Sequence, residues 1–236
     1  MLIFAIDSTA TTASVALSED TKLIAQFTIN KINAHSEQLL PMVKCIFNSL
    51  SIKIGDIDLL ACSTGPGSFT GVRIGVATIK GLAFGANITC IGVSTLEALS
   101  FNINDITHNA IICPVMDARR DQVYNALFRN GKRLTPDRII MLQDLSNELD
   151  KYGDPVYFVG DGYNLACEKI TLPNIRNTPE NLRYQSAYSV AVVAFNKYAL
   201  SSVSCTDTEL SPVYLRPSKA ERTADEQLII KTNSES

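Results

Sequence analysis

Apolar residues alternate with polar ones along the first 30 residues and then recur at helical spacing. The alternation and the β-branched residues predict three strands, at residues 2–7, 13–17 and 23–29. Apolar side chains at every third or fourth position predict a helix over residues 36–50, with a late start or a kink at Pro41. The next runs predict a strand, a helix, a strand and a short helix that Ser94 caps, at residues 57–62, 72–84, 88–93 and 94–101.

The same order of elements returns after residue 109. Strands are predicted at residues 111–117, 122–129, 132–140 and 156–159, and helices at 142–152 and 186–200, with Asn130-Gly131 as a hairpin turn. A unit that occurs twice predicts an α/β protein with two similar lobes, each a mixed sheet with flanking helices. We assign residues 1–106 to the first lobe and 107–216 to the second, and expect a polar, partly disordered tail over residues 217–236.

A glycine-rich run, GPGSFTGVRIG, occupies residues 65–75, between a predicted strand and a predicted helix. Backbone N–H groups at such a helix start attract anions. The run therefore contains possible anion-binding residues, which are Gly65, Gly67, Ser68, Thr70, Gly71 and Arg73. Alternatively, the glycines only let the turn bend and pack tightly. The run is neither a Walker loop nor a GxGxxG fingerprint.

The bulk composition excludes several classes of protein. Hydrophobic residues make up 46% and charged residues 19% of the chain, as in ordinary soluble proteins, and no apolar run has the roughly 18 residues of a membrane span. A net charge of −3 gives no bulk attraction to nucleic acid. The six cysteines form no CxxC pair, and His35 and His108 lie far apart. We therefore expect reduced thiols, no bound metal and a cytoplasmic location.

Aspartates stand at the ends of the first predicted strands of both lobes, in Asp7-Ser8-Thr9 and Asp117-Ala118-Arg119. Two such lobes resemble the actin-like ATPase and sugar kinase superfamily, whose fold is ribonuclease H-like. The resemblance implies a nucleotide between the lobes, with Asp7 and Asp117 facing its phosphates and metal. The two carboxylates could instead accept hydrogen bonds from turn N–H groups, and we favour this second role.

Motifs spread from Met1 to about Arg216 resemble the TsaB (YeaZ) family. Besides the glycine-rich run they are DST at residues 7–9, VAL at 15–17, HSEQLLP at 35–41, DARR at 117–120 and PVYLR at 212–216. The resemblance implies a part in making N6-threonylcarbamoyladenosine at position 37 of tRNA (t6A37). It also implies two protein partners, the catalytic paralogue TsaD and the small ATPase TsaE, with tRNA contacted only through their complex.

The resemblance implies a scaffold and activator rather than a catalyst. The isolated histidines agree with this, because TsaD-like chemistry needs a histidine pair on one helix. The alternative is a free-standing ATP-dependent small-molecule kinase or ATPase that uses the interlobe cleft. We expect no tightly held cofactor and at most weak binding of ATP, ADP or phosphate.

The first two predicted helices are apolar on more than one side, and Arg73 and Lys80 mark the only charged edge of the second. We predict that both helices form a partner surface, which TsaD uses and which the chain uses to form a homodimer when alone. The residues assigned to this surface are Leu39, Met42, Ile46, Ile74, Thr78 and Leu82. Val76 is assigned to the face that packs on the sheet. The alternative is complete burial of these helices within the monomer.

Overall fold

The first lobe is built on a five-stranded sheet. The computed structural model describes residues 1–31, 35–201 and 204–216. The strands are β1 (Leu2–Asp7), β2 (Thr12–Glu19), β3 (Lys22–Asn30), β4 (Leu59–Gly65) and β5 (Thr89–Ser94), in the order β3-β2-β1-β4-β5. The pairs among β1, β2 and β3 are antiparallel, whereas β4 is parallel to both β1 and β5.

Helices cover both faces of this sheet. Helices α1 (His35–Leu50) and α2 (Phe69–Ala83) cover one face, and α3 (Thr95–Phe101) and α6 (Ala187–Ser201) cover the other. Successive residues of a strand point to opposite faces. Accordingly Phe4 and Ile6 join the apolar cluster under α1 and α2, while Ile3 and Ala5 join the cluster under α6.

The second lobe repeats the strand order of the first. Its main strands are β6 (Ile111–Asp117), β7 (Gln122–Asn125), β10 (Arg138–Met141), β11 (Val156–Val159) and β12 (Ile175–Arg176), in the order β10-β7-β6-β11-β12. Short strands β8 (Phe128–Arg129) and β9 (Lys132–Arg133) form a hairpin beside β6, and helices α4 (Leu142–Asp150) and α5 (Tyr163–Lys169) complete the lobe. When the main strands of each lobe are numbered along the chain, both sheets have the order third, second, first, fourth, fifth. This shared order confirms the predicted two-lobe α/β class.

Three predicted elements differ from the structure, and one of them is the strand over residues 132–140, which is divided into β9 and β10. Helix α1 begins at His35 and continues through Pro41, so the late start is wrong. The predicted strand over residues 122–129 is broken after Asn125, where the chain faces Pro114 of β6. Proline has no N–H to donate to a neighbouring strand. The side-chain amide of Asn125 donates to the Pro114 carbonyl oxygen at 2.9 Å instead.

The chain returns to the first sheet before the end of its predicted second lobe. Helix α6 packs on β1, β2 and β4, and the Ala187 N–H donates to Ser14 Oγ at 3.0 Å. The segment 204–216, which we call the C-terminal strap, also packs there, with Leu210 buried among the residues under α2. Although the sequence analysis assigned both to the second lobe, α6 and Leu210 pack on the first sheet, and α6 covers its second face. The predicted tail, residues 217–236, lies outside the described residues.

Candidate functional site

The glycine-rich turn joins β4 to α2 and packs on the turn that follows β1. Ser68 caps α2, since its Oγ accepts from the Gly71 N–H at 3.2 Å. The Ser68 N–H donates to the Thr9 carbonyl oxygen at 2.7 Å, and Ser8 Oγ donates to the Gly71 carbonyl oxygen at 2.8 Å. The start of α2 is therefore fastened to the first-strand turn by backbone as well as side-chain hydrogen bonds.

Close backbone approach explains three of the glycines. A Cβ added at Gly71 would lie 2.0 Å from the Ser8 carbonyl oxygen, and one at Gly67 would lie 2.4 Å from that of Thr9. Gly65 has φ +122°, and a Cβ there would lie 2.3 Å from the Val213 carbonyl oxygen of the strap. Cβ atoms in proteins essentially never lie within 3.0 Å of a non-bonded heavy atom. The packing interpretation thus accounts for these glycines, and anion binding stays a prediction.

The exposed rim of the turn carries Ser68, Thr70 and Arg73. The Arg73 guanidinium lies 3.9 Å from the ring centroid of Phe69, and its Nε donates to the Tyr214 hydroxyl at 2.8 Å. Tyr214 in turn stacks on Phe69, with ring centroids 4.8 Å apart. The positive charge beside α2 is therefore held in a stack with the strap, where it can attract an anion only from one side.

The two first-strand aspartates accept hydrogen bonds from their own turns. Asp7 is buried, and its Oδ1 accepts from the N–H and the hydroxyl of Thr9, at 2.9 and 2.7 Å. Its Oδ2 accepts from Ser63 Oγ at 2.6 Å. Asp117 is exposed and accepts from the Arg119 N–H at 2.7 Å. These are the hydrogen-bonding roles that the sequence analysis favoured.

The groups that the superfamily resemblance places beside a nucleotide make contacts within the chain, and nucleotide binding stays untested. Both oxygens of Asp7 are engaged within the chain, and the strap backbone lies on Gly65. Within residues 1–31, 35–201 and 204–216, no three His, Cys, Asp or Glu side chains come together to hold a metal ion. The side chain of His35 lies outside the described residues.

Asp161 is a site residue to which the sequence analysis gave no role. It follows β11, in Gly160-Asp161-Gly162, at the position where the first lobe has its glycine-rich turn. Burial raises the pKa of the Asp161 carboxyl to about 6. A hydrogen bond with its own backbone N–H opposes that rise in pKa, and the Asp117 and Asp7 carboxylates add to it. The Asp161 carboxyl is therefore within electrostatic range of the first-strand aspartates of both lobes. The place of GDG in the repeat was the signal that could have found it.

Half of the predicted partner surface is core. Three of its residues are almost inaccessible and belong to the apolar cluster under α1 and α2, namely Leu39 (1% exposed), Met42 (0%) and Ile46 (4%). Their assignment to a partner surface is wrong, because the sheet of their own lobe covers this face of α1. Leu40, on the other side of α1, is 54% exposed.

The α2 residues of the predicted surface remain accessible. Ile74, Thr78 and Leu82 are half-buried and follow one another at intervals of four residues, so they form one stripe along the helix. Ala77 and Gly81 are exposed beside this stripe. Val76 is buried in the cluster on the sheet, as predicted.

The C-terminal strap runs along α2 and reaches the second lobe. Lys80 Nζ donates to the carbonyl oxygens of Thr208 and Leu210, at 3.3 and 3.1 Å. The Val213 N–H donates to the Thr64 carbonyl oxygen at 2.7 Å. The Arg216 guanidinium then donates to the Ala118 carbonyl oxygen at 2.8 Å, in the turn after β6. One segment thus bridges the two lobes beside the glycine-rich turn.

In the part of the chain that is described, no helix is long and apolar enough to cross a membrane.

Comparisons with known proteins agree with these features. Residues 22–223 match the family model described as "TsaD: tRNA N6-adenosine threonylcarbamoyltransferase". The tRNA threonylcarbamoyladenosine biosynthesis protein TsaB of Bacillus subtilis (strain 168) is 36% identical over 174 residues, which are 72% of this chain and 75% of that protein. The protein of the same name from Haemophilus influenzae is 28% identical over 233 residues, or 92% and 94% of the two chains.

A solved structure shows the same fold. YeaZ from Pseudomonas aeruginosa superposes with a TM-score of 0.77 at 22% identity, covering 91% of this chain and 99% of that one. The fold is thus the two-lobed α/β fold of that structure. With the match over residues 22–223 and the identity to the Bacillus subtilis protein, the chain belongs to the TsaB family of tRNA threonylcarbamoyladenosine biosynthesis proteins and acts in t6A synthesis.

Proposed function

We propose that this chain is a non-catalytic subunit that activates a TsaD-type threonylcarbamoyltransferase by binding to it. The observation that carries the proposal is that the groups expected to do chemistry are engaged inside the chain. Both oxygens of Asp7 accept internal hydrogen bonds, and the glycine-rich turn is packed on the first-strand turn and the strap. Asp7 and the glycine-rich turn therefore stabilise the fold, and we propose that the chain acts through a surface that binds another protein.

The proposed surface is the outer side of α2. Ile74, Thr78 and Leu82 supply apolar area, while Ala77 and Gly81 between them have almost no side chain. Small residues beside an apolar stripe let another helix approach closely. The same surface would serve the homodimer of the isolated chain, so TsaD would compete with self-association. In the cytoplasm, TsaE would then bind the TsaB–TsaD pair, and tRNA would be reached through that complex.

Reconstitution of threonylcarbamoyl transfer tests the proposal. With purified TsaD, TsaE, ATP, threonylcarbamoyl-AMP and tRNA, we expect product only when this chain is added. Leu82→Glu and Ile74→Glu should abolish both complex formation in sedimentation and activity, with an unchanged circular dichroism spectrum. Leu134→Glu is a control for the added charge, because Leu134 is an exposed leucine (41%) of the second lobe, away from α2. Folded Leu82→Glu and Ile74→Glu variants that still bind and activate TsaD would refute the assignment of the surface.

Calorimetry with Mg-ATP separates this proposal from a free-standing kinase. We expect no tight binding, and at most a weak anion site at the rim formed by Ser68, Thr70 and Arg73. A weak site should lose affinity in Arg73→Ala and in high salt, because the interaction is with an exposed charge. A micromolar dissociation constant for Mg-ATP on the isolated chain would favour the kinase instead.

A further inference from the structure

Two cysteines lie opposite each other where the C-terminal strap crosses the first sheet. Cys90 of β5 and Cys205 of the strap form an isolated antiparallel bridge, in which each N–H donates to the other residue's carbonyl oxygen at 2.9 Å. Directly opposed residues of such a pair have Cα atoms about 5.5 Å apart and side chains on the same face. Disulfides most often join Cα atoms about 5.5–6 Å apart. The Cα spacing therefore lies within the range of disulfides, whereas the Cβ atoms of such a pair are about 4.5–5.5 Å apart and must approach to the roughly 3.5–4.5 Å that a disulfide needs.

The surroundings of the two thiols agree with this spacing. Cys90 is buried in the apolar cluster under α1 and α2, and Cys205 packs against that same cluster. The Sγ of Cys205 lies 3.4 Å from the Cys90 carbonyl oxygen. Burial, and then the neighbouring Cys205, raises the pKa of the Cys90 thiol to about 11. Both cysteines are free thiols, and Cys205 is the more accessible of the two.

We propose that Cys90 and Cys205 are a redox pair whose disulfide fastens the C-terminal strap to β5. The oxidant is a low-molecular-weight disulfide such as oxidised glutathione. The Cys205 thiolate attacks it, which forms a mixed disulfide and releases one glutathione thiol. The Cys90 thiolate then attacks the Cys205 sulfur and releases the second. One small disulfide is thereby reduced to two thiols while the two protein thiols are oxidised to one disulfide.

The disulfide would add a covalent link to a segment that is otherwise held by hydrogen bonds and by the burial of Leu210. The two cysteines are 115 residues apart in the chain, so their bond would close a long loop. Beyond Cys205 the strap is held by Lys80 and by the bond from Val213 to Thr64. The raised pKa values of Cys90 and Cys205 mean few thiolates near pH 7, so the reaction should quicken as the pH rises. The proposal is independent of the proposed function.

Peptide mapping of the full-length protein tests the proposal. The protein is equilibrated at pH 8.5 in glutathione buffers of increasing oxidised fraction, quenched in acid, alkylated and digested without reduction. Mass spectrometry should then find the Cys90 and Cys205 peptides linked, in an amount that follows the buffer ratio. Cys205→Ser should abolish the linked species, whereas Cys62→Ser should keep it, because Cys62 is a buried neighbour in β4. Hydrogen exchange at the Val213 amide should slow on oxidation.

Three results would overturn the proposal. If Cys205 is found carrying only glutathione, the Cys90 sulfur does not reach the Cys205 sulfur. A link from Cys62 to Cys90 would show that a different pair reacts. A linked peptide that forms only when the protein is first unfolded in urea would show that the native strap does not position the thiols. The wild-type mapping alone distinguishes these results, so it does not depend on the folding of any variant.

Discussion

Replacement of Gly71 by alanine tests the conclusion that α2 packs directly on the first-strand turn. The new Cβ would lie 2.0 Å from the Ser8 carbonyl oxygen, so the helix start must move by about 1 Å. Overpacking of this kind costs about 1–3 kcal/mol. The shift also breaks the 2.8 Å hydrogen bond from Ser8 Oγ to the Gly71 carbonyl oxygen, which contributes about 1 kcal/mol. Alanine returns about 1 kcal/mol through its higher helix propensity. The expected net loss is about 1–3 kcal/mol.

Gly81→Ala is the matched control for this experiment. Gly81 lies in the same helix, and nothing is within 4 Å of an added Cβ there. That substitution should raise the free energy of unfolding by up to about 1 kcal/mol. Because the propensity gain is common to both variants, their difference of about 2–4 kcal/mol measures the packing alone. Urea denaturation followed by circular dichroism gives both values. A Gly71→Ala variant as stable as Gly81→Ala would refute the packing argument.

Three further predictions concern pH, the strap and metals. The pKa of Asp161 is raised from 3.8 to about 6 in the folded state, so between these pH values the folded protein binds more protons than the unfolded chain. The free energy of unfolding should therefore fall by roughly 3 kcal/mol as the pH rises from 4 to above 6. Asp161→Asn should remove this loss, seen in denaturation at pH 4 and pH 7.5; an unchanged pH dependence would contradict it. Leu210→Ala should cost about 2–4 kcal/mol and expose the strap to protease, because Leu210 is buried under α2. Elemental analysis of untagged protein should find no stoichiometric zinc or iron, which a metal surviving dialysis would disprove.

Several features of this protein could be predicted from local sequence because they depend on local spacing. Strands β1, β6 and β11 have the predicted bounds, since runs of apolar residues end at polar turns. Ser94 was predicted to cap α3, and its Oγ accepts from the Glu97 N–H. The repeated order of elements indicated two lobes, and the residues of the motifs by themselves indicated the TsaB family.

Other features depend on which distant segments meet, and only the tertiary structure decided them. The spacing in α1 showed an apolar face but not its partner, and the sheet turned out to cover Leu39. The return of α6 to the first sheet and the course of the strap join residues more than 100 positions apart, which no local pattern encodes. Asp161 looks like an ordinary turn residue in GDG, and only the tertiary structure buries its carboxyl and raises its pKa. Hydrophobic periodicity specifies which side of an element avoids water, whereas the segment that shields it is fixed by the global fold.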